Sequence, residues 1–152
     1  MQNTHFAEES LDYVISSDVL EHVPFYKDAL QETHRILKVG GAHVFTAPFY
    51  QHRFSNEQRS IIDEKGELVH FRHPWYHGDP LRPEGVLCFN VFSVELLIEL
   101  EKIGFEAELH IIRDPVLGIL GNNGIVLVAK KVGVSPREKD LIFPDQDIPA
   151  NT

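Results

Sequence analysis

Two short apolar runs flanking one helical stretch constrain this chain more than any other feature. Leu11-Asp12-Tyr13-Val14-Ile15 has the length and character of a strand, and Ala42-His43-Val44-Phe45-Thr46-Ala47 is a second that ends at Pro48, which cannot donate to a ladder. Between them, after Tyr26, residues Ala29, Leu30, Thr33, Ile36 and Leu37 fall at the three-and-four spacing of a helix face. Pro24 suits the start of that helix and Gly40 its stop. Strand, helix and strand in succession predict a crossover unit, which belongs to a parallel sheet with covered faces. On this reading the Leu11 to Ile15 strand is buried on both sides.

Regularity lapses from Phe49 to Phe92, a stretch rich in proline and histidine with a turn-like Asp63-Glu64-Lys65-Gly66. It reads as an insertion with a small hairpin. Ser93 is a suitable N-cap for a second helix, which carries Leu96, Leu97, Leu100 and Ile103 on one face and stops at Gly104. Phe105, Ala107, Leu109 and Ile111 then alternate with Glu106, Glu108 and His110, the pattern of a half-exposed edge strand. Ile125-Val126-Leu127-Val128-Ala129 is unbroken, as expected of a strand with neighbours on both sides. Asn123-Gly124 turns into it. Residues 132–152, with Pro136, Pro144 and Pro149, are expected to form an extended tail.

A chain of 152 residues with 43% apolar content is most economically one α/β domain with one core. Its apolar runs fall short of the ~18–20 residues that a membrane span needs, and its first residues are polar, unlike a signal peptide. The default expectation is a cytoplasmic protein. The single Cys88 forms no internal disulfide and has no companion at zinc-ligand spacing, so it reads as a small buried hydrophobe. A formal charge of −9 repels polyanions, which argues against nucleic acid as a substrate.

The polar elbow Ser16-Ser17-Asp18-Val19-Leu20-Glu21-His22 follows the first strand, and Leu37-Lys38-Val39-Gly40-Gly41 precedes the second. Together they resemble the second half of a class I S-adenosylmethionine-dependent methyltransferase, where a strand of the form Phe/Leu-Asp-x-Val leads to Leu-Glu-His and then to Leu-Lys-Pro-Gly-Gly. Here Val39 stands in place of the proline. The resemblance covers roughly residues 6–131 and implies a partial Rossmann-like sheet. It would consist of the last four strands, the final one inserted antiparallel, with two main helices and the insertion at 49–92. It also implies that the family's Gly-rich cofactor loop lies upstream of Met1. An apolar strand edge and a sheet face without helices would then meet water. The expected partner is a second copy of the chain or a separate N-terminal half.

In open α/β sheets ligands collect beyond the carboxyl ends of parallel strands. By the same resemblance, Ser16, Ser17 and Asp18 lie near the methionine part of S-adenosylmethionine. Tyr50, His52, Arg53 and His77 face the substrate, a small-molecule or saccharide acceptor. Asp18 and His22 are the candidates for removing the acceptor's proton. Asp18 equally reads as a cap of the following helix. The stretch from Tyr76 to Pro80, with Glu84 to Phe89, resembles an insertion of bacterial methyltransferases encoded near glycosyltransferases, in which Trp75, His77 and Asp79 would line the acceptor pocket. Its other reading is a packed Ω-loop anchored by Trp75 and Tyr76.

No metal is expected. Some related O-methyltransferases carry a Glu-x-x-Glu-His cluster at this elbow, but Asp18 shortens its first arm. His70, His73 and His77 have helical spacing, yet Pro74 and Gly78 argue against the helix that would align them. Two rivals remain beside the enzyme, a non-catalytic methyltransferase-like module that completes a partner and a metal-dependent hydrolase built on the histidines.

Overall fold

The computed structural model describes residues 3–79, 82–121 and 124–133. The expected tail beyond Gly133, Pro80 and the Asn123 turn lie outside the described residues, as does the side chain of Asp79.

The chain runs through β1 (Leu11–Ser17), a 3-10 turn (Leu20–His22), α1 (Tyr26–Ile36) and β2 (Leu37–Thr46). The insertion then contributes β3 (Phe49–Tyr50), β4 (Glu57–Gln58), β5 (Ser60–Ile62), β6 (Leu68–His70), β7 (Tyr76–Asp79), β8 (Arg82–Leu87) and β9 (Asn90–Ser93). It closes with α2 (Val94–Ile103), β10 (Phe105–Ile111) and β11 (Ile125–Lys131). The main sheet has the order β1-β2-β11-β10. β1 and β2 are parallel, and β11 lies antiparallel between β2 and β10. The unbroken apolar strand is thus interior and the alternating one an edge, as their patterns require.

α1 forms because Ala29, Leu30, Thr33 and Ile36 repeat on one face, and that face is buried. Leu37 does not continue it; its ψ of 139° is extended and it opens β2. Gly40 therefore stops no helix. It sits inside β2 with φ 83°, where the register slips: Leu11 pairs with Leu37 but Tyr13 with Ala42. Only glycine takes that φ without strain. At Gly41 a Cβ would meet the Asp12 carbonyl oxygen at 2.8 Å, so the two glycines let β2 bulge tightly against β1.

Register decides which face is covered. Val14, Phe45, Leu127, Ala129 and Leu109 share one face and join Leu30, Leu96 and Leu100 of the helices in a single core. The opposite face carries Tyr13 and Ile15, which are 69% and 79% exposed. The expected two-sided burial of β1 is corrected accordingly: both helices lie on one side and nothing among the described residues covers these two side chains.

The insertion is more ordered than its composition announces. β5 and β6 form the hairpin expected around Asp63, whose Oδ1 accepts from the amides of Lys65 and Glu67. β7 and β8 form a second hairpin where an Ω-loop was the alternative. β9 pairs with both β3 and β4. Asn56 fastens this layer to α2: its Oδ1 accepts from the Ser93 amide at 2.8 Å and its Nδ2 donates to Glu99 at 3.1 Å. Its own amide donates to Glu95 at 2.8 Å. Ser93 occupies the N-cap position, but its hydroxyl donates to the Phe54 carbonyl at 2.6 Å instead of capping α2.

Candidate functional site

Two neighbouring features occupy the carboxyl ends of β1 and β2. The first is an open cavity of about 890 Å³ whose walls include Ser17, Asp18, Tyr50, His52, Arg53 and Trp75. Its rim is the elbow after β1. Asp18 adopts φ 49°, a left-handed conformation that Asp tolerates better than most side chains. Its amide holds that bend by donating to the Thr46 carbonyl at 3.1 Å, and Ser17 Oγ lies 3.0 Å from Thr46 Oγ1. The Asp18 carboxylate stays exposed. The cap position of the following turn is Val19, with no side-chain cap, so the capping reading of Asp18 does not hold. Opposite the elbow, the Arg53 guanidinium lies over the Tyr50 ring, 4.5 Å from its centroid, and donates to Glu57 at 2.6 Å. A cation and a ring fixed together in this way present a flat, polar wall to a ligand.

The second feature is a cluster of the buried Glu21 and Cys88 with the half-buried His22 and His77, joined to that cavity through Trp75. Glu21 is fully buried, and neither of its carboxylate oxygens has a hydrogen-bond partner among the described residues. Its Oε1 lies 3.2 Å from His77 Nδ1 and 3.6 Å from His22 Nε2. His22 Nδ1 is 2.7 Å from the Leu87 carbonyl, which fixes that nitrogen as the N–H donor. Burial raises the Glu21 pKa above the ordinary carboxylate value, and burial pushes the Cys88 thiol up to about 11. Burial, then the neighbouring His22, holds the His77 imidazole below its usual value. The two histidine rings meet edge to face, and Trp75 meets His77 the same way, so one indole forms both a wall of the cavity and a side of the cluster.

The expected residues therefore divide. Ser17, Asp18, Tyr50, His52 and Arg53 share the cavity, whereas His22 and His77 belong to the cluster around Glu21 and do not line it. Ser16 points into the core face, 3.0 Å from His43 Nε2. Reading the chain alone overlooks Thr46, which ties the elbow, and leaves Cys88 inert; neither has a local spacing that signals its partners. A second cavity, about 670 Å³, lies between α1 and α2 near Lys27, Glu95 and Glu99. None of its lining residues belongs to the elbow or to the Tyr50–Arg53 loop, and Lys27 and Glu99 form an ion pair across it at 2.8 Å.

Comparison with known proteins follows the fold. Residues 1–45 match the family model described as a methyltransferase domain. No curated protein sequence matches the chain. Among solved structures, an S-adenosylmethionine-dependent methyltransferase from Mesorhizobium loti superposes with a TM-score of 0.53 at 19% identity, over 86% of this chain and 66% of that one. A second, described as a putative S-adenosylmethionine-dependent methyltransferase, from Listeria monocytogenes, gives 0.52 at 16% identity, over 86% and 65%. The [4+2]-cyclase SpnF gives 0.50 at 13% identity, over 87% of this chain and 54% of that one. The chain thus spans less than two thirds of each of these structures. A cyclase among them illustrates that such a fold hosts more than one chemistry. What the comparisons establish is architectural: this chain has the mixed α/β, Rossmann-like fold of S-adenosylmethionine-dependent methyltransferases.

Proposed function

We propose that the chain is the closing half, residues 1–131, of an S-adenosylmethionine-dependent methyltransferase unit, acting on a small-molecule or saccharide acceptor. The observation that carries this reading is the convergence of the bent elbow and the Tyr50–Arg53 loop on one cavity at the carboxyl ends of two parallel strands. The elbow backbone would receive the methionine end of the cofactor, with Ser17 and Asp18 nearest. Tyr50, His52 and Arg53 would orient the acceptor from the other side.

Methyl transfer from a sulfonium is an in-line displacement. The protein's work is to align acceptor, methyl and sulfur and to take the acceptor's proton. Asp18 and His52 have the position for that proton, since both border the cavity. His22, drawn back against Leu87 and Glu21, would act on the site only indirectly. A reducing compartment such as the cytoplasm suits the free thiol of Cys88. No helix among the described residues is long and apolar enough to cross a membrane.

A second reading is favoured by one observation, the exposed Tyr13 and Ile15 on the face that no helix among the described residues covers. It makes the chain a non-catalytic module that completes a partner. Calorimetric titration with S-adenosylhomocysteine separates the two. The methyltransferase reading predicts saturable heat that weakens in Asp18→Ala, and the module reading predicts none at millimolar ligand.

A further inference from the structure

His22 stands far along the chain from His77 and Cys88, which the β7–β8 hairpin brings together, and the fold sets one ligand atom of each within 4.8 Å of the others. Of the three histidines that local spacing singles out, His70, His73 and His77, only His77 belongs to this group. His70 is turned to Ser60 Oγ at 2.7 Å, and His73 is exposed with its Nδ1 3.0 Å from the Pro74 carbonyl. Against both cluster histidines lies Glu21, fully buried, with neither oxygen accepting a well-formed hydrogen bond among the described residues. A buried carboxylate without donors is costly, and such a group in a folded protein calls for an ion, a proton or a water.

From these positions we propose that His22, His77 and Cys88 hold a zinc-like divalent cation, with the Glu21 carboxylate beside it. Imidazole, imidazole and thiolate are the donors that such a cation prefers. Tetrahedral ligands at ~2.0–2.3 Å from a metal stand ~3.5 Å from one another. Glu21 Oε1 already lies at 3.2 Å from His77 Nδ1 and 3.6 Å from His22 Nε2, the separations that two ligands of one cation have. The ligand atoms of His22, His77 and Cys88, all within 4.8 Å of one another, need to draw in by about an ångström at most to reach that spacing, a movement that side-chain rotation can supply.

His22 is also set up from behind. Its Nδ1–H donates to the Leu87 carbonyl, leaving the Nε2 lone pair directed at the cluster, the second-shell arrangement of metal-bound histidines. Without a cation that lone pair faces a carboxylate oxygen. Charge balances as well: a divalent cation, one thiolate and one carboxylate sum to zero inside the protein. The backbone keeps the pocket tight, because Gly85, at φ 79°, brings its Cα against the His77 carbonyl where a Cβ would overlap it. Such a site would clip the β7–β8 hairpin to the turn after β1 and fix Trp75 between cluster and cavity. It is independent of methyl transfer and stands or falls without it.

The test is optical titration of the metal-free 152-residue chain with cobalt(II), a spectroscopic substitute for zinc. One equivalent per chain should give a thiolate-to-cobalt charge-transfer band and the visible absorption of a tetrahedral centre, both discharged by added zinc. In Cys88→Ser the charge-transfer band should vanish. In His77→Gln the apparent affinity should fall by more than the ~10–100-fold that losing an outer-shell partner costs. Absence of the band in the wild-type chain, whatever the variants do, overturns the proposal and leaves a proton shared between Glu21 and a histidine. Persistence of the band in Cys88→Ser overturns it too.

Discussion

Asp18 answers two demands, a left-handed backbone and a carboxylate at the cavity rim, and the two separate by substitution. Asp18→Gly keeps the conformation, so its unfolding free energy should stay within ~1 kcal/mol of the parent. A β-branched Asp18→Val should lose ~1–2 kcal/mol to the same backbone angle. If the carboxylate serves the acceptor or cofactor, both variants lose ligand binding although only one loses stability. Denaturant titration and calorimetry on the pair provide the check. His43 makes a different prediction. It is fully buried, stacked on Phe45, and burial holds its pKa down at about 4 from 6.5. Below pH 6.5 the unfolded chain takes a proton that the folded chain refuses. Stability should therefore fall as pH drops from about 6.5 to about 4, by up to ~3 kcal/mol, and level off below. Glu21, whose pKa burial raises, acts in the opposite sense, losing stability as pH rises, so the comparison of interest is with His43→Phe. That variant should flatten the slope between those pH values, and an unchanged slope would contradict the assignment.

At the level of elements, legibility followed periodicity. α1, α2, β10 and β11 were readable because each keeps a single period over a whole element, and each is found within a few residues of its expected place. The order of β10 and β11 in the sheet was readable too, since an unbroken apolar run needs two neighbours and an alternating one needs a single face. Failures arose where long-range contacts overrode local pattern. Leu37 fits the α1 stripe but is taken by β2, and Gly40 punctuates a bulge. In the insertion, strands of two to six residues are too short to show a period, and their order rests on side chains such as Asn56 that no spacing marks. The site divided the same way. Residues on one loop, Tyr50 to Arg53, were found together, whereas Glu21, His77 and Cys88 meet only through the fold. Asn56→Ala should cost ~1–3 kcal/mol, because it strands the Ser93 amide, whereas Glu99 keeps Tyr26 and Lys27. A loss below ~0.5 kcal/mol in chemical denaturation would mean that the insertion is anchored elsewhere.

Among the described residues the molecule is one-sided: α1, α2 and the insertion gather on one face of the sheet, and Tyr13 and Ile15 stand bare on the other beside the edge of β1. Soluble proteins manage such edges and faces by covering them. At ~25 cal/mol per Å², covering ~400 Å² is worth about 10 kcal/mol, the scale of a domain's entire stability. The expected cover is the opening half of the fold or a second copy of the chain. At micromolar concentration the chain alone should therefore self-associate and bind a hydrophobic dye, and Ile15→Lys should reduce both. Light scattering from a stable monomer without dye binding would contradict this. The central claim, that the elbow after β1 receives the methionine end of the cofactor, is most directly tested by amide chemical-shift mapping of the labelled chain with millimolar S-adenosylhomocysteine. The account predicts shifts concentrated at Ser16, Ser17 and Asp18 and at Thr46 behind them; no shifts, or shifts confined to the cleft between α1 and α2, would contradict it.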